Sequence, residues 1–521
     1  MSPPQSIRSL LRRASHYAGA GVAAMIAGMI SYPLLTRTLD VEDYGAMGLI
    51  QVILLAGVAG AKLGLQNSIV RLWPVNDRTP EDRASFASTF FYAALILGGA
   101  AALVCVVADV ALHRVLPRRL VWPLAIASLI IPARALFSFA QSFMRAREDS
   151  RAYALTSVGA ALLGLPFIML FVLWLMAGPA RLSGFYLGIL IAEAVMTAVA
   201  LRVAFAGTSI NPGRFRWSLA REGLTFGLPL VIFEAASLVL LMGDRVILQL
   251  FRTERELGYY TAAFSLVWQL AIFFAKPLEL AVVPMFTNAY EHEGAAAASA
   301  LVSRINRLYA LAALPMIAGL WAVREDLIIV LASHKYRAAQ NLLPLLLAGA
   351  LVFGARVYVG AGLFLAKKSR LTALIAAGAA ALNVVLNLAL VPRFGAGGSA
   401  AATGLASLAL VVAVGVAGRR HLPFDLGLRQ MALYAAGAVG MALAVSRITL
   451  ASPQAGFGAH LAQLLARAAV GAVLYAAFAL VADPEARALV SSLRSRTGVD
   501  LATPAAVPQP GRPAASGSSP G

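Results

Sequence analysis

The chain has 521 residues, 60% of them hydrophobic and only 13% charged, with a mean hydropathy of +0.78. Soluble domains carry about 25% charged residues, so this composition excludes a string of soluble domains and points to a membrane protein. A net charge of +19 would suggest nucleic acid in a soluble protein; here the distribution of the charges, set out below, decides otherwise.

Residues 6–16 carry Arg8, Arg12 and Arg13 ahead of an apolar run that reaches Thr36 with no clear cleavage site, so the run reads as a retained first span. A span needs about 20 mostly apolar residues. The runs that qualify are 17–36, 44–66, 85–110, 120–142, 153–177, 182–206, 223–250, 258–286, 305–323, 341–366, 371–392, 397–417, 429–449 and 460–482. The expectation is an all-α polytopic membrane protein of about 14 transmembrane helices. Nothing alternates at period two over strand-length segments. The single cysteine, Cys105, sits in an apolar run, and the six histidines show no metal-ligand spacing. No catalytic residue, metal or cofactor is assigned.

With the N-terminus placed inside, the inner segments hold 25 Lys+Arg and the outer loops 12. This is the positive-inside pattern, and its spread over every inner loop argues against a nucleic-acid partner. It puts both termini in the cytoplasm. One loop disagrees: 111–119, with Arg114, Arg118 and Arg119, falls outside. The tail from Ala502 is rich in Pro, Gly, Ser and Ala and reads as disordered.

The chain repeats itself. TRTLDVEDYGAMGL (36–49) matches QLFRTERELGYYTA (249–262): each follows an apolar helix with an acidic turn and then a glycine, Gly45 or Gly258. The offset is 213; a second, basic pair around 144–161 and 364–381 has an offset near 220. Two parallel copies of a six-helix unit follow, around a central cavity. The expected divisions are a cytoplasmic segment 1–16, an N-lobe 17–206, a linker 207–222, a C-lobe 223–417, two further spans in 429–482 and a tail 483–521. Transporters built this way bind substrate between the halves near the midplane.

Charges inside spans are costly and mark function. Lys62, Arg134, Arg245, Lys276 and Arg356 are the cations of interest, and Glu193, Glu234, Asp244 and Glu279 the acids. Lys62 and Arg245 lie near span ends, where long side chains snorkel to headgroups. Glu234 and Arg245, eleven apart, share one direction on their helix, as do Asn383 and Asn387 at i, i+4. Such stripes must turn toward partners or water. Lys276 and Glu279 are also placed to pair with each other, Asp244 to neutralise Arg245, and the asparagines to join helices. Taken as a set, the cations indicate a hydrated cavity that concentrates anions, and arginine suits phosphate. The acids are candidates for a coupling proton or Na+.

The runs 31–49, 243–264, 332–349 and 367–404 (the last ending LNVVLNLALVPRFGAGGSAAATG) together resemble polysaccharide biosynthesis flippases of the O-antigen flippase type. These form the oligosaccharide-lipid branch of the multidrug/oligosaccharidyl-lipid/polysaccharide exporter superfamily. The resemblance covers about residues 15–420. It implies two six-helix lobes and alternating access. It also implies transfer of a polyprenyl-pyrophosphate-linked oligosaccharide between leaflets of a bacterial inner membrane, beside other polysaccharide-assembly proteins. Arg37, Asp244 and Arg245 fall on the family's patterned segments. Arg134, Lys276 and Arg356 rest on depth alone. The alternatives are a membrane glycosyltransferase or glycan polymerase using Asp40, Glu42 and Asp43, and a multidrug antiporter of the same superfamily.

Overall fold

The computed structural model describes residues 7–76, 79–112, 114, 118–452, 455–484 and 487. In lipid every backbone amide needs an internal partner, which leaves helices or closed barrels. Among the described residues there are no strands. The helices are α1 (Ile7–Thr38), α2 (Val41–Lys62), α3 (Leu65–Asn76), α4 (Pro80–Leu112), α5 (Arg118–Ala146), α6 (Ser150–Met169) and α7 (Arg181–Ala204). After them come α8 (Trp217–Phe251), α9 (Glu254–His292), α10 (Ala295–Leu331), α11 (Leu342–Val359) and α12 (Ala361–Leu365). The last three are α13 (Ser369–Arg419), α14 (Leu428–Ser446) and α15 (Phe457–Ala482). Among the described residues, ten segments are long and apolar enough to cross a membrane.

Several rods are bent or broken for local reasons. Leu63 (φ 44) and Gly64 (φ 75) turn left-handed between α2 and α3. The second rod therefore runs on to Asn76 rather than stopping near residue 66. α6 passes through a π-helical turn at Leu170–Leu175. The 51 residues of α13 fold into two legs at Gly395 (φ 56, ψ −137). A Cβ there would lie 1.8 Å from Glu256 Oε1, and that oxygen accepts the Ala396 N–H at 2.7 Å, capping the second leg. With α2–α3 and α11–α12 each taken as one rod and α13 as two, the chain has fourteen long helical stretches. The expected loop at 324–340 is mostly the end of α10 and a 3-10 turn at His334–Ala339. α1 begins at Ile7, ten residues ahead of the expected span. The tail from 502 and residues 113 and 115–117 lie outside the described residues.

Packing sorts the helices into two groups. α5 packs on α2, α4 and α7, and α6 on α1 and α7; α13 packs on α8 and α11, and α11 on α9 and α10. α14 and α15 pack on α10. The groups meet where α2 crosses α9 and where α2 and α3 run along α8. We call the side on which α1 starts the N face and the opposite side the far face.

The α2–α9 crossing lies toward the far face and is very close. A Cβ on Gly45 would sit 2.6 Å from the Glu254 carbonyl oxygen, and one on Gly258 2.0 Å from the Val41 carbonyl oxygen. Gly45 and Gly258, like Val41 and Glu254, are separated by the repeat offset, so the two contacts are mates across an approximate two-fold axis. The α9 start is fixed by an N-cap: Thr253 Oγ1 accepts the Glu256 N–H at 3.2 Å.

Candidate functional site

Three sets of intramembrane charges lie midway along the rods. Lys62, the last residue of α2, bonds Glu234 of α8 at 3.0 Å, so this ion pair joins the two helix groups. The break at Leu63–Gly64 explains its depth. Lys62 is in the middle of the α2–α3 rod, and the expectation that it snorkels from a span end is corrected. Arg134 of α5 forms two bonds to Glu193 Oε1 of α7, at 2.8 Å and 2.9 Å, inside the first group. Lys276 and Glu279 pair at 3.1 Å one turn apart on α9. Glu279 is also near enough to Arg356 of α11 to interact electrostatically. Arg356 stacks 3.8 Å over Phe353 and donates to the Phe353 carbonyl at 2.8 Å.

These side chains are not sealed. Lys276 is 56% exposed and Glu234 37%, halfway along their helices. Four cations face three carboxylates, a net charge of +1. The set is therefore less basic than the cations alone suggest, because Glu193, Glu234 and Glu279 each sit beside one of them as counter-ions.

Three expected members, Arg245, Asp244 and Arg37, lie elsewhere. Arg245 and Asp244 are 3% and 0% exposed, bonded at 3.0 Å inside the second group. The Arg245 guanidinium lies 4.2 Å from the Phe264 ring centre and donates to the Leu241 carbonyl; Asp244 accepts from Tyr260 Oη and from Thr403 Oγ1 at 3.4 Å. Arg245 is thus a core ion pair and not part of a passage wall. Asn383, Asn387 and Ser399 complete this buried cluster: Asn383 donates to Thr403 Oγ1, Asn387 to Asn383 Oδ1, Ser399 lies within hydrogen-bond reach of Tyr260, and Asn387 Oδ1 has no partner among the described residues. Arg37 ends α1 at the far face. It donates to the Val330 carbonyl at 2.8 Å and covers the Phe457 ring at 5.4 Å.

The two groups are knit together at the far face. Arg119 reaches from α5 to Asp43 of α2 at 3.6 Å and to Glu254 of α9 at 3.0 Å. Arg255 lies 3.9 Å from Glu42. Lys335 donates to the Leu39 carbonyl, and the Tyr32 hydroxyl to the Ala262 carbonyl at 3.1 Å. Burial holds the Lys335 ammonium below its ordinary lysine range, against the opposite pull of Asp40. The arginine excess expected at 111–119 is thus offset by carboxylates of α2 and α9, at least for Arg119. Toward the N face, α1 and α9 expose apolar residues including Val22, Ile26, Phe273 and Leu280.

A further polar cluster was not singled out from the sequence. Asp326 of α10 receives Arg467 at 2.7 Å, both oxygens are bonded by Gln463 at 3.0 Å, and His460 Nδ1 lies at 2.7 Å. The signal for it is His460, Gln463 and Arg467 spaced along one face of α15.

A family model described as "Polysaccharide biosynthesis protein" matches residues 10–289, more than half of the chain. The chain belongs to the polysaccharide biosynthesis protein family. No curated protein matches it. Among solved structures, this family member is similar to a lipid II flippase, MurJ, in an inward closed conformation. The identity is 13% and the TM-score 0.72, covering 90% of this chain and 98% of that one. It is also similar to an inward-facing multidrug resistance MATE family transporter of the MOP superfamily, at 13% identity and TM-score 0.63, with 76% and 94% covered. At these identities the likeness is one of fold.

Proposed function

We propose that this polysaccharide biosynthesis family member is a flippase that carries a polyprenyl-pyrophosphate-linked oligosaccharide between leaflets by alternating access. The observation that carries the reading is the Lys62–Glu234 pair. It is mid-depth, partly exposed and, of the three mid-rod pairs, the one that joins the helix groups across the line between them, the seam. A pyrophosphate entering the seam competes with Glu234 for Lys62, and Arg134, Lys276 and Arg356 supply further donors. Substrate charge thereby loosens the bond that ties the halves. The far face is closed by Arg119, Arg255, Lys335 and the Gly45–Gly258 crossing. The Lys+Arg excess supports a cytoplasmic N face, and on that orientation the state described is closed to the outside. The lobes are α1–α7 and α8–α13. A coupling ion is assigned to the Asp244 cluster, where the buried Asn387 Oδ1 has no partner among the described residues, rather than to the three glutamates that serve as counter-ions.

The test is leaflet exposure of a labelled lipid-linked oligosaccharide in vesicles. Lys62→Ala and Glu234→Ala each lower the rate about tenfold or more, as truncation of one partner of a hydrogen-bonded charge pair does elsewhere. The swapped pair Lys62→Glu with Glu234→Lys restores part of it. Unchanged rates in both single variants, or uptake of organic cations with no movement of the glycolipid, defeat the reading.

A further inference from the structure

The far face holds a bowl of about 800 Å³, walled by α5, the α6–α7 turn, the start of α2 and Glu254 of α9. It does not overlap the seam charges. Its lining combines an exposed indole, Trp122, with Asp40, Asp43, Glu254 and Arg119. The volume falls within the range typical of small-ligand sites.

The functional groups are those that hold sugars. A flat aromatic ring takes the C–H face of a pyranose, while carboxylates and a guanidinium fix its hydroxyls. Trp122 is 73% exposed, so its ring is free to receive such a face. An exposed tryptophan near a bilayer surface also serves as an interfacial anchor. Trp174, at 82%, is not part of this lining and fits that role, whereas Trp122 lines the same bowl as the carboxylates. Asp43 is only 6% exposed and is held in place by Arg119, which also bonds Glu254. The polar floor is therefore preorganised.

Charge selects among sugars. The lining itself holds three carboxylates against one guanidinium, a charge of −2, which Lys335 and Arg181 beside Asp40 offset in part. Phosphates and uronic acids are repelled, and neutral or amino sugars are favoured. This is the reverse of the seam.

We propose that the far-face bowl is a saccharide-binding vestibule, with Trp122 as the stacking platform and Asp40, Asp43, Glu254 and Arg119 as hydroxyl partners, selective for neutral or amino-sugar units. It rests on the flippase reading for its role as the place where the glycan emerges. It also bears on closure. Arg119 spans from α5 to Glu254, so a sugar that takes up either group weakens a bond between the helix groups.

The experiment uses the full chain in lipid nanodiscs with chitotetraose, maltotetraose and tetragalacturonate as probes, followed by saturation-transfer NMR and calorimetry. Saturable binding of at least one neutral probe is expected, with tetragalacturonate weaker. Trp122→Ala weakens neutral binding about tenfold, and Trp122→Phe retains most of it. Binding unaffected by Trp122→Ala, equal binding of tetragalacturonate, or no saccharide binding by the wild type overturns the proposal. A Trp122→Ala chain that loses only thermal stability shows a membrane anchor and overturns it too. Lys62→Ala separates the two readings: it loses transport and keeps oligosaccharide binding if both hold. Binding without any wild-type transport leaves the vestibule standing and removes the flippase.

Discussion

Arg134 and Glu193 are 27% and 19% exposed and share two hydrogen bonds across 59 residues of chain. Removing one partner of a fully buried pair costs about 3–5 kcal/mol. Partial exposure screens this one, so Arg134→Ala is expected to cost about 1–3 kcal/mol, chiefly by stranding Glu193. The Arg134→Ala/Glu193→Ala chain should regain part of the loss, measured as a coupling energy in thermal unfolding in detergent. Additive losses would mean that the two side chains do not act as a pair. At this scale the sequence displayed the charges but not their partners. Only Lys276–Glu279 and Asp244–Arg245 were legible, because each pair is local. Lys62 looked terminal because the apolar run ends near residue 66, whereas the rod continues through α3 to Asn76. Arg245 looked like a wall residue because its aromatic cover, Tyr260 and Phe264, comes from the next helix.

Among the elements, α2 and α9 carry the most constrained contact. Gly45 and Gly258 allow backbones to touch, as small residues do between membrane helices. An added methyl at Gly258 meets the Val41 carbonyl at 2.0 Å with no flexible end to yield, so α9 must move away from α2. Gly258→Ala is expected to part the far-face ends of the helix groups, lengthening the distance between spin labels on Glu42 and Arg255. An unchanged distance would show that the crossing is not what closes this face. Gly395 is a second fixed point. Its positive φ and the Glu256 carboxylate against it make Gly395→Ala costly by about 1–3 kcal/mol from backbone strain alone, read as a drop in Tm. Both glycines were visible in the sequence, one through the repeat and one through the gap between 392 and 397. The left-handed step at Leu63 was not, because leucine gives no hint of it and Gly64 resembles the many tolerated membrane glycines.

For the molecule as a whole, fold class and helix count followed from hydropathy, because lipid permits few alternatives. The two-fold relation followed from a short repeat whose copies turn out to touch. What the sequence left open was which side is closed, since closure depends on pairs such as Arg119–Glu254 and Arg37–Val330 that join distant segments. The closed far face and the exposed Lys276 predict one-sided access. In a Cys105→Ser background, which removes the chain's single thiol, Lys276→Cys should react with a membrane-impermeant maleimide from the N face and at least about tenfold more slowly from the far face, as the proposed one-sided access requires. Adding lipid-linked substrate should raise far-face labelling, as alternating access requires. Labelling from neither side would place Lys276 against lipid, and equal labelling from both would describe a channel. Either result removes the one-sided seam on which the transport mechanism depends.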